Sequence, residues 1–480
     1  MGRIDYHSAD SYFLFNYHET NKTPIASVIC SYECSGKTEA KRITLVARVA
    51  SRHSMDYFFH SYPKELAKQI VSRWGPPSDA FDTLPPEEAL ASFLSEAYQA
   101  SLLREEDRSV ICRIILIDPI ELSDEAGPPN GLHVLKFREE RLMHEEEIRR
   151  LSPTATFFRS LVGVRWDPGK GFVLWGVINS GSRWINQTDG GRLRSPIIPN
   201  RLIVHIRGPG SLIALKGEKR VATLLNGKLQ GHGFNIYEAS WLASLQERFA
   251  KWVLHECFKG ERHSGATVEL DFTRMLAQNV TRRVISQVRR ARHGGMLIIV
   301  ASPNWDKLVR SDGPICPKYW IEDTKARRRY RELIFAAVRT LSEVGTQRGF
   351  QTVGWKQYQE IRDDRLADID ESIFECAHLL ADLMAVDGAL VLTAARDIIG
   401  FGAEIHVPTQ ENEIVYRALD IEAQQAVPER ADNAGTRHRS AYRLARDHPE
   451  CMIIVVSQDG SVRFVGNQKG QVTYWDILSI

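Results

Sequence analysis

Two short stretches in the last third of the chain combine residue types that could do phosphate chemistry. The first, Asp387-Gly388-Ala389, sets one carboxylate before two minimal side chains. Residues without bulk let a ligand approach the backbone, and the acid can hold a divalent cation or orient a hydroxyl. A plain turn with a capping Asp is the other reading of these residues. The second, Gly435-Thr436-Arg437-His438-Arg439, opens a helical run that ends at Asp447. A helix start presents free amides and a partial positive charge, which attract anions. Two arginines and a histidine in that first turn are unfavourable unless an anion offsets them, and arginine meets phosphate oxygens in bidentate fashion. Thr436 is the candidate N-cap and Gly435 lets the chain turn; a frayed, solvated helix start is the alternative.

The neighbouring elements must hold these stretches in register. Asp370–Met384 reads as a helix, with Ile373, Ala377, Leu380 and Met384 at helical spacing and Asp370 as candidate N-cap. It leads into Asp387 and the strand Leu390–Thr393, which Ile398–Phe401 can pair. Upstream, Phe272–Arg292 reads as a basic helix, Met296–Ala301 as a buried strand after Gly294-Gly295, and Thr324–Val344 as a helix. Thr436–Asp447 stops before Pro449, and Met452–Val456 with Ser461–Val465 forms a hairpin across Ser457-Gln458-Asp459-Gly460. Alternating elements of this kind imply an α/β fold, a sheet covered by helices.

In this order, the two stretches and the closing hairpin resemble the diadenylate cyclase domain over roughly residues 265–480. The nearest likeness is to the nucleotide-binding domain of the DNA-integrity scanning protein. The resemblance also takes in Arg289–Val300, with Gly295 before Met296, and the exit strand Ile453–Ser457. It implies a mixed β-sheet flanked by helices and a nucleotidyltransferase that condenses two ATP into cyclic di-AMP with release of two pyrophosphates. It further implies Mg²⁺ or Mn²⁺ as cofactor and a homo-oligomer with facing sites. By the same resemblance Asp387, Arg437, His438 and Arg439 are catalytic, with Asp387 the metal ligand. Gly388, Ala389, Leu390, Gly435, Thr436 and Ser457 bind ATP, and the loop Gly402–Ile405 lines the base.

Three departures bear on this. Asn304–Asp368 is an insertion, Phe401–Asn433 is longer than usual, and Gln458 stands where some relatives carry a glutamate that helps with metal. They keep open a second reading, a catalytically inactive nucleotide or cyclic-dinucleotide sensor of the same fold.

The first half is organised differently. Ile25–Cys30 and Ile43–Val49 read as strands, Pro63–Trp74 and Pro86–Leu103 as helices, Val110–Ile117 as a strand and Glu139–Leu151 as a charged helix. From Phe157 to about Gly231, short apolar runs alternate with Gly-rich turns, the signature of an antiparallel meander. A long helix, about Ile236–Lys259, follows, and polar Gly260–Gly265 marks a boundary. The expected parts are an α/β region over 1–155, a β-rich meander plus helix over 156–264, and the cyclase-like domain over 265–480. Tyr62–Ala67, Ala100–Arg108 and Leu174-Trp175-Gly176 resemble the DACNV sensor domain found fused to such cyclases.

Composition sets outer limits. Lys plus Arg is 62 and Asp plus Glu is 60 in 480 residues, so global charge names no nucleic-acid or membrane partner. No apolar run approaches the ~20 residues that span a bilayer. Seven scattered cysteines and an N-terminus without a signal-peptide pattern place the expectation in the cytoplasm. Cys30 and Cys34 are a lone close pair without zinc-finger company, and Ser35-Gly36-Lys37-Thr38 has only the tail of a phosphate-binding loop. The window Phe272–Trp305 carries six arginines and no acid. It reads as a basic helix face, or as a surface for an anionic ligand or nucleic acid.

Overall fold

The computed structural model describes residues 62–480 apart from 123–126, 129, 156–157, 193–197, 231–234, 260–264, 411–412 and 478–480, with backbone alone at 187–189. Before residue 62 it describes the backbone of three strands. The chain forms two compact units, Met1–His60 and Ser61–Ile480. In the first, Leu14–Asn16, Ser27–Cys34 and Lys37–Ile43 pair antiparallel in that order, with Cys34 opposite Lys37. A strand therefore follows Lys37, not the helix that a phosphate-binding loop requires. Of the expected strand Ile43–Val49, all but Ile43 lies outside the described residues, as do the side chains of Cys30 and Cys34.

The second unit is α/β, with two large sheets flanked by helices. The first sheet has eight strands in the order Lys228–Leu229, Lys219–Leu225, Ser211–Lys216, Leu202–Gly208, Cys112–Leu116, Ser160–Asp167, Gly171–Asn179, His133–Leu142. Its strands come from both sides of residue 155. Neighbours are antiparallel except Cys112–Leu116 beside Ser160–Asp167. Side chains alternate between two cores, as a period of two requires. Ile114, Val162 and Val204 meet the helices Pro63–Arg73 and Glu87–Leu102 on one face. Ile115, Leu161 and Ile203 join Trp175 and Trp184 on the other.

One expected element differs. Glu139–Leu151 is not one helix: His133–Leu142 is an edge strand paired with Gly171–Asn179, and the helix covers only Glu145–Leu151. Charged residues populate both, because an edge strand with a solvated face tolerates charge as readily as a surface helix does. The short helix Arg183–Asp189 had no apolar periodicity to announce it.

The second sheet is the C-terminal scaffold. Its main path runs Ile315–Cys316, Ile398–Ile405, Ala389–Thr393, Gly295–Val300, Cys451–Val456, Val462–Gln468, Gln471–Ile477, Ile414–Ala418, Ala426–Arg430. Tyr319–Trp320 also pairs with Ile398–Ile405. Gly295–Val300 lies parallel to Ala389–Thr393 and antiparallel to Cys451–Val456. Leu297, Ile299, Leu390 and Ile454 face the helices Leu270–Ala291, Arg329–Gln347 and Asp364–Leu383. Met296, Ile298, Val391 and Ile453 face the helix Thr436–Asp447.

The stretch Asn304–Asp368 is built into this scaffold. Its helix Arg329–Gln347 buries Leu333, Ile334, Ala337, Val338 and Leu341, and Thr352–Val353 pairs in parallel with Thr267–Val268. The helix before the acid begins at Asp364, six residues earlier than Asp370, and its N-cap Asp363 accepts from the Arg365 amide at 3.1 Å. Asp370 is instead an ion-pair partner of Arg283, at 3.0 Å.

Candidate functional site

One end of the second sheet gathers most of the residues singled out above. Gly295 stands opposite Val456, so the turn before one strand and the turn after the other lie together. Gly294 takes φ +68, and a Cβ there would sit 3.0 Å from Arg437 Nη1 and 3.3 Å from the Gln458 amide nitrogen. The left-handed conformation and the Val456 carbonyl oxygen, also 3.0 Å from that Cβ position, favour glycine here, and its lack of a side chain leaves room for Arg437 to lie across the turn. Arg437 comes from the first turn of Thr436–Asp447, where Gly435, not Thr436, occupies the N-cap position and offers no side-chain cap. The helix-start amides therefore lack a side-chain acceptor of the usual kind.

Asp387 sits across from this arginine. Its Oδ1 is 3.7 Å from Arg437 Nη2, and its side chain is 93% exposed. That separation is too long for a hydrogen bond, so the carboxylate faces the guanidinium across an open gap. Gly388 has φ +117, and a Cβ on it would collide with the Gly402 carbonyl carbon. The close approach of 388 to 402 holds Asp387 at the sheet rim. Gly402–Ile405 is not the expected loop but the end of the strand Ile398–Ile405, with Ala403 paired to Ala389.

His438 and Ser457 meet on the same rim, with Nε2 and Oγ 3.4 Å apart. Burial, reinforced by the Arg463 cation, pushes the His438 pKa down to about 4. The imidazole is therefore neutral at neutral pH and can accept or donate one hydrogen bond without adding charge. Arg463 is itself held by Asp476 at 2.7 Å and by the Tyr442 hydroxyl at 2.8 Å. Arg439, partly exposed on the same turn, has no carboxylate partner among the described residues.

Gly388, Gly435, Thr436, Arg437, His438, Ser457 and Asp387 thus lie on the turns at this rim. Ala389 and Leu390 differ: they are 1% and 0% exposed and belong to the cores on opposite faces of the sheet. The Leu390 side chain has no surface to offer a nucleotide. Sequence reasoning passed over Lys318 and Tyr319. Tyr319 stacks on Phe401 with centroids 4.8 Å apart, and its ring lies 3.4 Å from where a Gly402 Cβ would be. Lys318 pairs with Glu404 at 3.0 Å, and the charges of Glu404 and Asp387 raise its pKa. A two-residue strand carries too little pattern to be read, though Lys-Tyr-Trp after a proline was a signal.

A divalent cation would find one open carboxylate here. Among the described residues no group of three or more His, Cys, Asp or Glu could hold a metal. That donor set fits Mg²⁺ or Mn²⁺ shared between Asp387 and ligand phosphates, and does not fit an all-protein cage.

Most arginines of the basic window are engaged within the fold, while Arg292 is exposed at the helix end. Arg283 meets Asp370, Arg274 meets Asp271 at 3.2 Å, and Arg282 and Arg290 lie over the rings of Tyr237 and Phe158. Arg289 reaches the hairpin turn near Gly460, and burial lowers its pKa.

Residues 79–179 match the family described as "Probable sensor domain DACNV". This segment supplies the helix Glu87–Leu102 and four strands of the eight-stranded sheet, Cys112–Leu116, His133–Leu142, Ser160–Asp167 and Gly171–Asn179. Among curated proteins, no sequence matches the chain. A structural genomics crystal structure of "the hypothetical membrane spanning protein from Bacillus cereus" is 13% identical, covering 50% of this chain and 94% of its own, with a TM-score of 0.20. That likeness is too slight to define a shared fold. Among the described residues, no helix is long and apolar enough to cross a membrane.

Proposed function

We propose that the chain is a diadenylate cyclase regulated by its sensor region, joining two ATP into cyclic di-AMP and releasing two pyrophosphates. The observation that carries this reading is the exposed Asp387 carboxylate facing Arg437 across a rim of glycine turns at a helix start. In this reading Arg437, Arg439 and the amides at Gly435–Thr436 hold the ATP phosphates and neutralise charge that builds at the α-phosphate. Neutral His438 and Ser457 hydrogen-bond phosphate oxygens. Asp387 orients the attacking 3′-hydroxyl; a bound Mg²⁺ or Mn²⁺ would supply Lewis-acid polarisation of the phosphate. The Tyr319–Phe401 stack and the strand end at Gly402 flank the position for the base. Each protomer holds one ATP, and reaction requires a second protomer with its site facing the first, so that the main contribution is positioning.

The second reading is a nucleotide or cyclic-dinucleotide sensor without turnover. It is favoured by the single open carboxylate and by Gln458 at the exit turn. Calorimetric titration with ATP, run beside mass spectrometry of the same samples, separates the two. Binding accompanied by cyclic di-AMP supports the cyclase. Binding with no product under either metal supports the sensor.

A further inference from the structure

A cavity of about 370 Å³ lies at the other end of the same sheet from Asp387. It sits between the helix Ser240–Cys257 and the strand ends at Ile299, Ala301 and Met452, and is closed by the turn Ala394–Arg396. Its volume is that of a small-ligand pocket, and its walls are mainly apolar, with Phe249 and Trp252 the aromatic members.

The polar groups in this wall carry the argument. Arg396 lines the cavity and is 8% exposed, and its Nε has no hydrogen-bond partner. The guanidinium lies over the Phe249 ring, 5.1 Å from the centroid, with the Tyr330 hydroxyl beside it. No carboxylate pairs with it among the described residues, and burial lowers its pKa. The next residue, Asp397, is taken by Arg331 at 3.1 Å. Arg396 also holds φ +68, a conformation unfavourable for a residue with a Cβ. The two other polar lining groups are not acids. Gln246 accepts from Gln278 at 2.6 Å, and Arg248 is exposed. A buried cation kept in a strained turn, without an anion, beside an unfilled apolar space is costly unless a ligand completes it.

We propose that this cavity binds a small amphipathic anion, a medium-chain carboxylate whose apolar body lies against Phe249 and Trp252 and whose head meets Arg396. The site is separate from the Asp387 rim, and the proposal does not depend on what happens there. Ala394 and Ala395 line the cavity beside Arg396 and add little bulk there. Trp252 in the wall gives an optical handle.

The test is calorimetric titration of the full chain with octanoate and with octanol. Saturable binding of one octanoate per chain, at least tenfold tighter than octanol, is expected. Leu245→Trp, which fills the space, should remove binding of both, and Arg396→Gln should reduce octanoate to the octanol level. If Arg396→Gln does not fold, judged by its melting curve, the octanol comparison and Leu245→Trp decide. Equal affinity for octanol, binding that survives Leu245→Trp, or no saturable octanoate binding overturns the proposal.

Discussion

Replacing Gly388 by alanine tests how the rim is held. The residue has φ +117, where an L side chain is strained by about 1–3 kcal/mol. The new Cβ would also meet the Gly402 carbonyl carbon and lie 2.8 Å from both the nitrogen and the oxygen of Ala403. These are backbone atoms of a strand paired with Ala389–Thr393, so they cannot swing aside as a side-chain tip would. Overpacking of this kind adds about 1–3 kcal/mol, giving about 2–6 kcal/mol in all. Gly75→Ala is the internal control, because Gly75 has φ +74 but nothing within 4 Å of its Cβ position. It should show strain alone, about 1–2 kcal/mol. Amide exchange reads the difference locally. The ladder between Ala389–Thr393 and Ile398–Ile405 should open about 30-fold or more faster in Gly388→Ala, and remain unchanged in Gly75→Ala. If exchange there is unaltered in Gly388→Ala, the close approach of 388 to 402 does not hold the acid in place.

Two other outcomes follow from the same contacts. His438 should titrate near its depressed pKa of about 4 by NMR. Its unfolded pKa is about 6.5, so the unfolded chain takes up the proton first, and His438 should cost stability as pH falls from there toward 4. In His438→Gln that part of the acid slope should disappear; an unchanged slope would mean the imidazole is not buried neutral. Arg283 is 3% exposed and pairs with Asp370, so Asp370→Asn, which removes the countercharge but leaves Arg283 its bond to the residue-370 carbonyl, should cost about 1–2 kcal/mol in denaturant unfolding, less than a fully buried pair because the acid is partly solvated. The double change with Arg283→Met should recover part of that loss, and strict additivity would show that the pair is not coupled.

The elements that could be read in the sequence are those whose burial is one-sided or complete. The helix Glu87–Leu102 and the strands Gly295–Val300 and Cys451–Val456 stand within a residue or two of their expected places, because their apolar runs match one period. Asp387 and the 435–439 turn were legible for another reason: small residues and uncompensated cations break local rules at a helix start. What stayed hidden depended on partners far along the chain. Leu390 looked like part of the acid's motif, yet strand alternation turns it into the core. Asp370 looked like a cap, but the buried Arg283 claims it and Asp363 caps the helix. Tyr319 reaches the rim only because a two-residue strand pairs with Ile398–Ile405. Arg396 gave no signal, since a lone arginine in a turn is unremarkable until the cavity beside it is seen.

The central claim is tested most directly by incubating the full chain with ATP and Mg²⁺ or Mn²⁺ and measuring cyclic di-AMP by mass spectrometry. The account predicts product from the wild type and at least a ~100-fold loss both in Asp387→Asn and in the Arg437/Arg439 double alanine variant, with folding intact. ATP binding without product under either metal, or turnover that survives both changes, would contradict it.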